Sequence, residues 1–123
     1  MSLIRVIAGT IGVLVLQVAH AGGDSARGKT LFETCAFCHS IEDGRNGIGP
    51  SLWQVAGRRA AGVASYPYSA AFKALDQDWD DAHLDGFLAA PMQVVPGTKM
   101  TFVGVAEAQD RADLIAYLRS LQP

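Results

Sequence analysis

Cys35-Ala36-Phe37-Cys38-His39 is the stretch from which the rest of this chain is read. In a helix, residues three and four apart share a face, so Cys38 and His39 are both neighbours of Cys35. All three side chains then meet one flat object. C-x-x-C-H is the attachment signature of c-type haem, with two cysteine sulfurs joined to vinyl groups and the histidine as an axial iron ligand. Three other readings compete. A disulfide across three residues suits an exported chain but leaves His39 unexplained. A thioredoxin-like redox pair wants a βαβ context. A zinc site needs four ligands, and beyond these three only His83 is a plausible fourth. One haem c, covalently held by Cys35 and Cys38, uses every residue of the motif.

Working outward, the chain reads as helix, long loop, short helix, helix, loop, helix. Asp24-Ser25 caps a first helix from about Ala26 to Phe37. Gly44, Gly47, Gly49-Pro50, Gly57 and Gly62 then break a region with no sustained period. Ser69 caps a short helix from Ala70 to Leu75. Asp80-Asp81 opens another, with Leu84, Phe87 and Leu88 on one face and Pro91 as its stop. Val94 to Val105 is loop again. The last helix, about Ala106 to Leu121, aligns Leu114, Tyr117, Leu118 and Leu121. No alternating run of strand length competes, so the class is all-α, and its loops are long enough to need something to wrap.

The amino-terminus is of another kind. Met1–Ala21 holds one basic residue, Arg5, and an apolar run from Val6 to Ala19 broken only by Thr10 and Gln17. It ends Ala19-His20-Ala21, with small residues where a signal peptidase reads. At roughly 14 residues the run is short for a bilayer span of about 20. We therefore expect a cleaved signal peptide over 1–21, with a retained anchor as the weaker alternative, and a single domain over 22–123. Without Arg5, nine Lys and Arg face twelve Asp and Glu, a formal charge of −3. That excludes a nucleic-acid binder, because nothing here neutralises a run of phosphates. The length excludes a multi-domain enzyme.

An electron-carrying haem iron needs a second axial ligand, and a neutral thioether raises the potential relative to a second histidine. Met92 and Met100 are the candidates beyond residue 21. Met100 follows Pro96-Gly97, whose backbone is held out of helix and can push a side chain inward. Met92 follows the helix-stopping Pro91. Core packing is the plain alternative for either residue.

The surrounding motifs resemble those of class I cytochromes c, the mitochondrial type and its bacterial periplasmic relatives, from Gly28 to the carboxy-terminal helix. Gly28-Lys29-x-x-Phe32 and Cys35-x-x-Cys38-His39 resemble the family's first helix and haem attachment. Gly49-Pro50-Ser51-Leu52 resembles the loop whose proline carbonyl accepts the proton on the ligating histidine's second nitrogen. Pro96-Gly97-Thr98-Lys99-Met100-x-Phe102 resembles the distal-ligand motif, and Arg111 to Leu118 the closing helix. The resemblance implies a fold of about four to five helices with long loops around one haem. His39 and Met100 would be the iron ligands, Pro50 the partner of His39, and Arg58, Tyr66, Tyr68 and Trp79 the propionate-binding residues. Hydrogen-bond donors fit that last role, since buried carboxylates must be paired.

The chain also departs from the mitochondrial pattern. Only Lys29, Lys73 and Lys99 remain of a ring of lysines, and Phe87 stands where a tyrosine is expected. The implied function is a soluble periplasmic, monomeric electron carrier of a respiratory chain, not an enzyme. It would shuttle one electron between redox partner proteins such as a cytochrome bc1-type complex, an oxidase or a dehydrogenase, without membrane insertion after cleavage. The alternatives are a haem c subunit of a respiratory or sulfur-oxidising complex, and an enzyme or gas-binding protein with a labile distal ligand. The acidic run Asp76, Asp78, Asp80, Asp81, Asp85 reads as a solvated helix start, and His83 within it as an exposed polar residue.

Overall fold

The computed structural model describes residues 22–123, so the signal-peptide expectation lies outside the described residues. Among the described residues five α-helices carry the fold: α1 (Ser25–Leu31), α2 (Ala70–Lys73), α3 (Asp81–Ala89), α4 (Pro91–Val94) and α5 (Ala108–Arg119). No strand occurs among the described residues, only an isolated bridge between Arg59 and Asp78. None of the described helices is long and apolar enough to cross a membrane.

The expected first helix holds only in part. Asp24 caps it as predicted, its Oδ1 accepting from the Ala26 and Arg27 amides at 2.9 and 3.1 Å. After Leu31, however, the chain tightens into a 3-10 helix over Phe32–Phe37. The Cys35 carbonyl accepts from both the Cys38 and His39 amides, at 3.1 and 3.0 Å. The tightening turns Phe32 into the core while leaving Phe37 outside.

Pro91 also behaves differently from its expectation. It does end α3, which stops at Ala89, but it then occupies the first turn of α4. Proline suits that position because no intrahelical partner is needed for the missing N–H. Val94 therefore belongs to a helix rather than to the loop. Helices α2 and α5 are each trimmed by two residues or more from their predicted ends.

The core sits where α1 crosses α5. Gly28 makes the crossing possible: a Cβ there would strike the Asp113 carbonyl and the Tyr117 Cβ. Phe32 packs on Tyr117 with ring centroids 5.3 Å apart. The predicted apolar stripe of α5, Leu114, Tyr117, Leu118 and Leu121, is buried, as are Leu84, Phe87 and Leu88 of α3. A polar lock closes the crossing. Asp113, 1% exposed, accepts from the Asp24 amide at 2.7 Å, from Gln109 Nε2 at 2.9 Å and from Arg27 Nη1. A buried carboxylate is tolerable only with such a complete set of donors.

Candidate functional site

A cleft of about 250 Å³ opens beside this core, and the residues singled out from sequence converge on it. Cys35, Cys38, His39, Pro50, Arg58, Tyr66, Tyr68, Trp79 and Met100 all line it, with Leu52, Phe72, Phe87 and Phe102 supplying apolar wall. Met92 and His83 do not. Met92 is 45% exposed on α4, and His83 lies at the solvated start of α3, its amide donating to Asp80 Oδ1 at 2.8 Å.

Cys35, Cys38 and His39 reach the cleft from the 3-10 helix and the turn that ends it. Both cysteines are half-buried and are not joined to each other as a disulfide. The loop after His39 is fastened to this turn. The Gly49 amide donates to the Cys38 carbonyl at 2.8 Å, and the Leu52 amide to the Ser40 carbonyl at 2.8 Å. That fastening sets the Pro50 carbonyl 2.7 Å from His39 Nδ1. A carbonyl only accepts, so Nδ1 carries the proton and Nε2 keeps its lone pair. Burial holds the His39 pKa below its ordinary value; the Pro50 bond opposes this and the Arg58 charge adds to it. The imidazole is thus kept neutral and ready to ligate. Gly49 is required at its place because a Cβ there would run into the imidazole ring.

The opposite end of the site is polar. Reciprocal backbone bonds, Trp79 N–H to the Arg58 carbonyl and Gly57 N–H to the Trp79 carbonyl, both 2.8 Å, set Arg58 and Trp79 side by side. Arg58 Nη1 donates to the Ser51 and Trp53 carbonyls at 3.0 Å each. Ser51 is itself buried and fixed by Asn46 and by the Glu42 carbonyl. Arg58 Nε is buried with no partner, an N–H left for an acidic acceptor in the cleft. The Tyr68 hydroxyl lies beside this guanidinium and accepts from the Val63 amide at 3.2 Å, so its own proton remains available. Tyr66 differs: its hydroxyl already donates to the Ile48 carbonyl at 2.7 Å, and its ring stands edge-on to Tyr68.

Met100 comes from the loop after α4. Gly97 takes φ +86°, and the Met100 amide then donates to Thr98 Oγ1 at 3.2 Å. Lys99 Nζ donates to the Pro67 carbonyl at 2.6 Å, tying this loop to the one that carries Tyr66 and Tyr68. The far end is held by Arg111, which sequence reading did not single out for this role. Its guanidinium donates to the Val105 and Ala106 carbonyls at 3.0 and 2.8 Å and to Asp85 Oδ1 at 2.7 Å. Its two carbonyl acceptors lie only five and six residues earlier in the chain, whereas the Asp85 carboxylate on α3 is brought close by folding. Pro96-Gly97 is the turn signal readable from sequence in this loop, and Thr98 adds a local cap to the Met100 amide.

The cleft therefore offers two sulfurs, a neutral imidazole, a thioether, an unpaired buried guanidinium N–H and otherwise apolar walls. These fit a flat, largely apolar cofactor with an iron to be ligated and carboxylates at the Arg58 end.

Comparisons with known proteins agree with this reading. The sequence model of the family described as Cytochrome c matches residues 25–122. Cytochrome c of Gibberella zeae is 48% identical over 101 residues, covering 80% of this chain and 95% of that protein. A cytochrome c homolog of Rickettsia bellii is 47% identical over 94 residues, 76% of this chain and 54% of its own. This chain thus spans about half the length of its rickettsial relatives. Among solved structures, cytochrome cH from Methylobacterium extorquens superposes with a TM-score of 0.76 at 42% identity, covering 80% of this chain and 99% of that one.

Proposed function

This chain belongs to the cytochrome c family and carries one covalent haem c, and from that premise we propose that it is an exported electron carrier whose haem iron is closed by His39 and Met100. Bound in the cleft, the haem supplies an iron that takes up and releases one electron. The chain's own residues do the rest. Cys35 and Cys38 anchor the group through their sulfurs. His39 presents Nε2 because Nδ1 is committed to Pro50, which also makes the imidazole a stronger donor. Met100 gives a soft, neutral sulfur that favours a higher potential than a second histidine would. Arg58 Nε, Tyr68 and Trp79 bind the propionates, while Tyr66 contributes its ring and braces Ile48.

With His39 and Met100 both held as ligands, the site would leave no position for a substrate, and nothing would be turned over. The apolar wall excludes water, so charge changes meet little solvent rearrangement. The observation that carries this reading is the meeting of His39, oriented by Pro50, and Met100 in one apolar cleft. The ferric absorption spectrum tests it. A weak long-wavelength iron–thioether band is expected, and a high-spin spectrum would favour a haem enzyme or gas-binding protein instead.

Residues 1–21 direct export and are removed, leaving a periplasmic monomer of residues 22–123 that serves donor and acceptor proteins of an electron-transport chain. Amino-terminal sequencing of protein recovered from a periplasmic fraction should begin at Gly22. A chain that keeps Met1 and sediments with membranes would show a retained anchor.

A further inference from the structure

The Pro50 carbonyl and the Ser51 amide are two ends of one peptide group, and both ends are bound. The carbonyl lies 2.7 Å from His39 Nδ1, and the amide donates to Asn46 Oδ1 at 3.0 Å. Asn46 continues outward, its Nδ2 donating to Ser65 Oγ at 3.0 Å. Its partners fix which way the side-chain amide points: a backbone N–H only donates, so Oδ1 is the atom that faces Ser51. One line of hydrogen bonds thus runs from the imidazole, through a peptide plane, to a side chain outside the cleft lining.

Turn chemistry does not account for Asn46. An asparagine that shapes its own turn accepts from the amide two residues on, whereas this one reaches the amide five residues on. The rest of Ser51 is committed as well. Its Oγ donates to the Glu42 carbonyl at 2.6 Å and accepts from the Trp53 amide at 3.2 Å, and its carbonyl accepts from Arg58. Ser51 is buried, and a buried amide without an acceptor is costly, so Asn46 completes the set that holds this peptide plane. Hydrogen bonds that share a peptide group also polarise one another. Acceptance by Asn46 draws electron density toward the Pro50 oxygen, which then accepts more strongly from Nδ1–H, and the ring donates more strongly from Nε2. We propose that Asn46 is a positioning residue for His39, fixing the Pro50–Ser51 peptide plane and, through it, the donor strength of the imidazole toward iron. The proposal rests on the ligation reading above. A stronger donor favours ferric over ferrous iron, so Asn46 holds the reduction potential down.

The test compares Asn46→Leu, Asn46→Asp and Ser65→Ala in the haem-loaded protein. Two quantities are read: the reduction potential at neutral pH, and the proton resonance of His39 Nδ1–H in the diamagnetic ferrous state. Asn46→Leu removes the acceptor and should raise the potential. At a fixed applied potential the ferrous-to-ferric ratio should grow about two- to fivefold, a smaller response than loss of a direct partner of a metal-bound histidine brings. The Nδ1–H resonance should move upfield and exchange with deuterium faster. Asn46→Asp keeps the shape and offers a stronger, charged acceptor, so the resonance should move downfield and the potential should not exceed that of wild type. Ser65→Ala cuts the outer tie, leaves the Ser51 bond in place and should keep both readings. An equal response in Ser65→Ala would make Asn46 a loop anchor and overturns the proposal. So does an Asn46→Leu protein that folds with the wild-type potential and resonance. Should Asn46→Leu not fold, Asn46→Asp decides, and a resonance that fails to move downfield overturns the proposal. The same spectra check the premise. His39 ring protons without the large ring-current shifts of a haem ligand would remove the ligation reading and the proposal together, whereas shifted protons indifferent to Asn46 remove the proposal alone.

Discussion

At the α1–α5 crossing, protein meets protein on every side: Gly28 lies on the Asp113 carbonyl, Phe32 on Tyr117, and the Asp113 carboxylate takes three donors. Around the cleft the chain is arranged otherwise. Residues 43–69 and 95–107 have almost no regular hydrogen bonding of their own and are fastened at separate points, by Gly49, Leu52, Lys99 and Arg111. The first region is stabilised by its own contacts. The second holds its shape around a cofactor, and its fastenings position ligands more than they bury surface.

The harshest way to break the comparison is to remove the attachment. Cys35→Ala with Cys38→Ala should leave a largely disordered chain, because the loop region cannot bury itself and the helix pair alone is marginal. Far-ultraviolet circular dichroism checks this; near-native helix content would mean that the crossing stands without the cleft.

Gly28→Leu attacks the other region. The new side chain meets backbone rather than a movable tip, so the loss should reach about 3 kcal/mol, the upper end of the cost of overpacking. An unchanged denaturation midpoint would show that the helices do not cross there. Arg111→Ala removes three bonds from a clamp that is 14% exposed. It should cost roughly 1–3 kcal/mol and also speed cyanide entry in the ferric protein, while Arg111→Lys restores part of both. Loss of stability with unaltered cyanide entry would make Arg111 a prop for α5 alone.

Asp113 gives a pH readout confined to the crossing. Its pKa is held below the ordinary carboxylate value by the Asp24 amide first, then by Arg27 and Gln109. A depressed folded-state pKa contributes stability that is present above the unfolded pKa and lost as pH falls through the folded one. The denaturation midpoint should therefore decline from about pH 5 to pH 2, and Asp113→Asn should flatten that decline. An identical slope in the variant would assign the acid sensitivity to other groups. The smallest effect belongs to Met92→Ala: its half-exposed side chain should cost no more than about 0.5 kcal/mol.

How much of this was legible in the sequence follows the same division. The buried faces of α3 and α5 repeat every three or four residues, so Leu84, Phe87, Leu88 and the Leu114–Leu121 stripe could be read directly. The 3-10 turn at Phe32–Phe37 could not, because the apolar spacing there shows no break in period. At the site, the C-x-x-C-H spacing and the resemblance around Pro96–Met100 named the residues that now line one cleft. The resemblance groups Tyr66 with the propionate donors; Tyr66 lines the cleft, and its hydroxyl also donates to the Ile48 carbonyl, 18 residues away in sequence. The Arg111–Asp85 pair and the Asp113 lock are hidden for the same reason: Asp85, Asp24 and Arg27 are brought to their partners only by folding.

The central claim is that Met100 closes the iron site opened by His39, and comparing Met100→Ala with Met92→Ala in the ferric protein tests it most directly. Met100→Ala should abolish the long-wavelength thioether band, lower the reduction potential and admit cyanide or carbon monoxide, whereas Met92→Ala should keep the band and the potential. Water or Lys99 can fill the vacated position, so potential and ligand access are better readouts than spin state. A band that survives Met100→Ala but disappears in Met92→Ala would contradict the assignment, and a band indifferent to both would contradict the closed-site carrier itself.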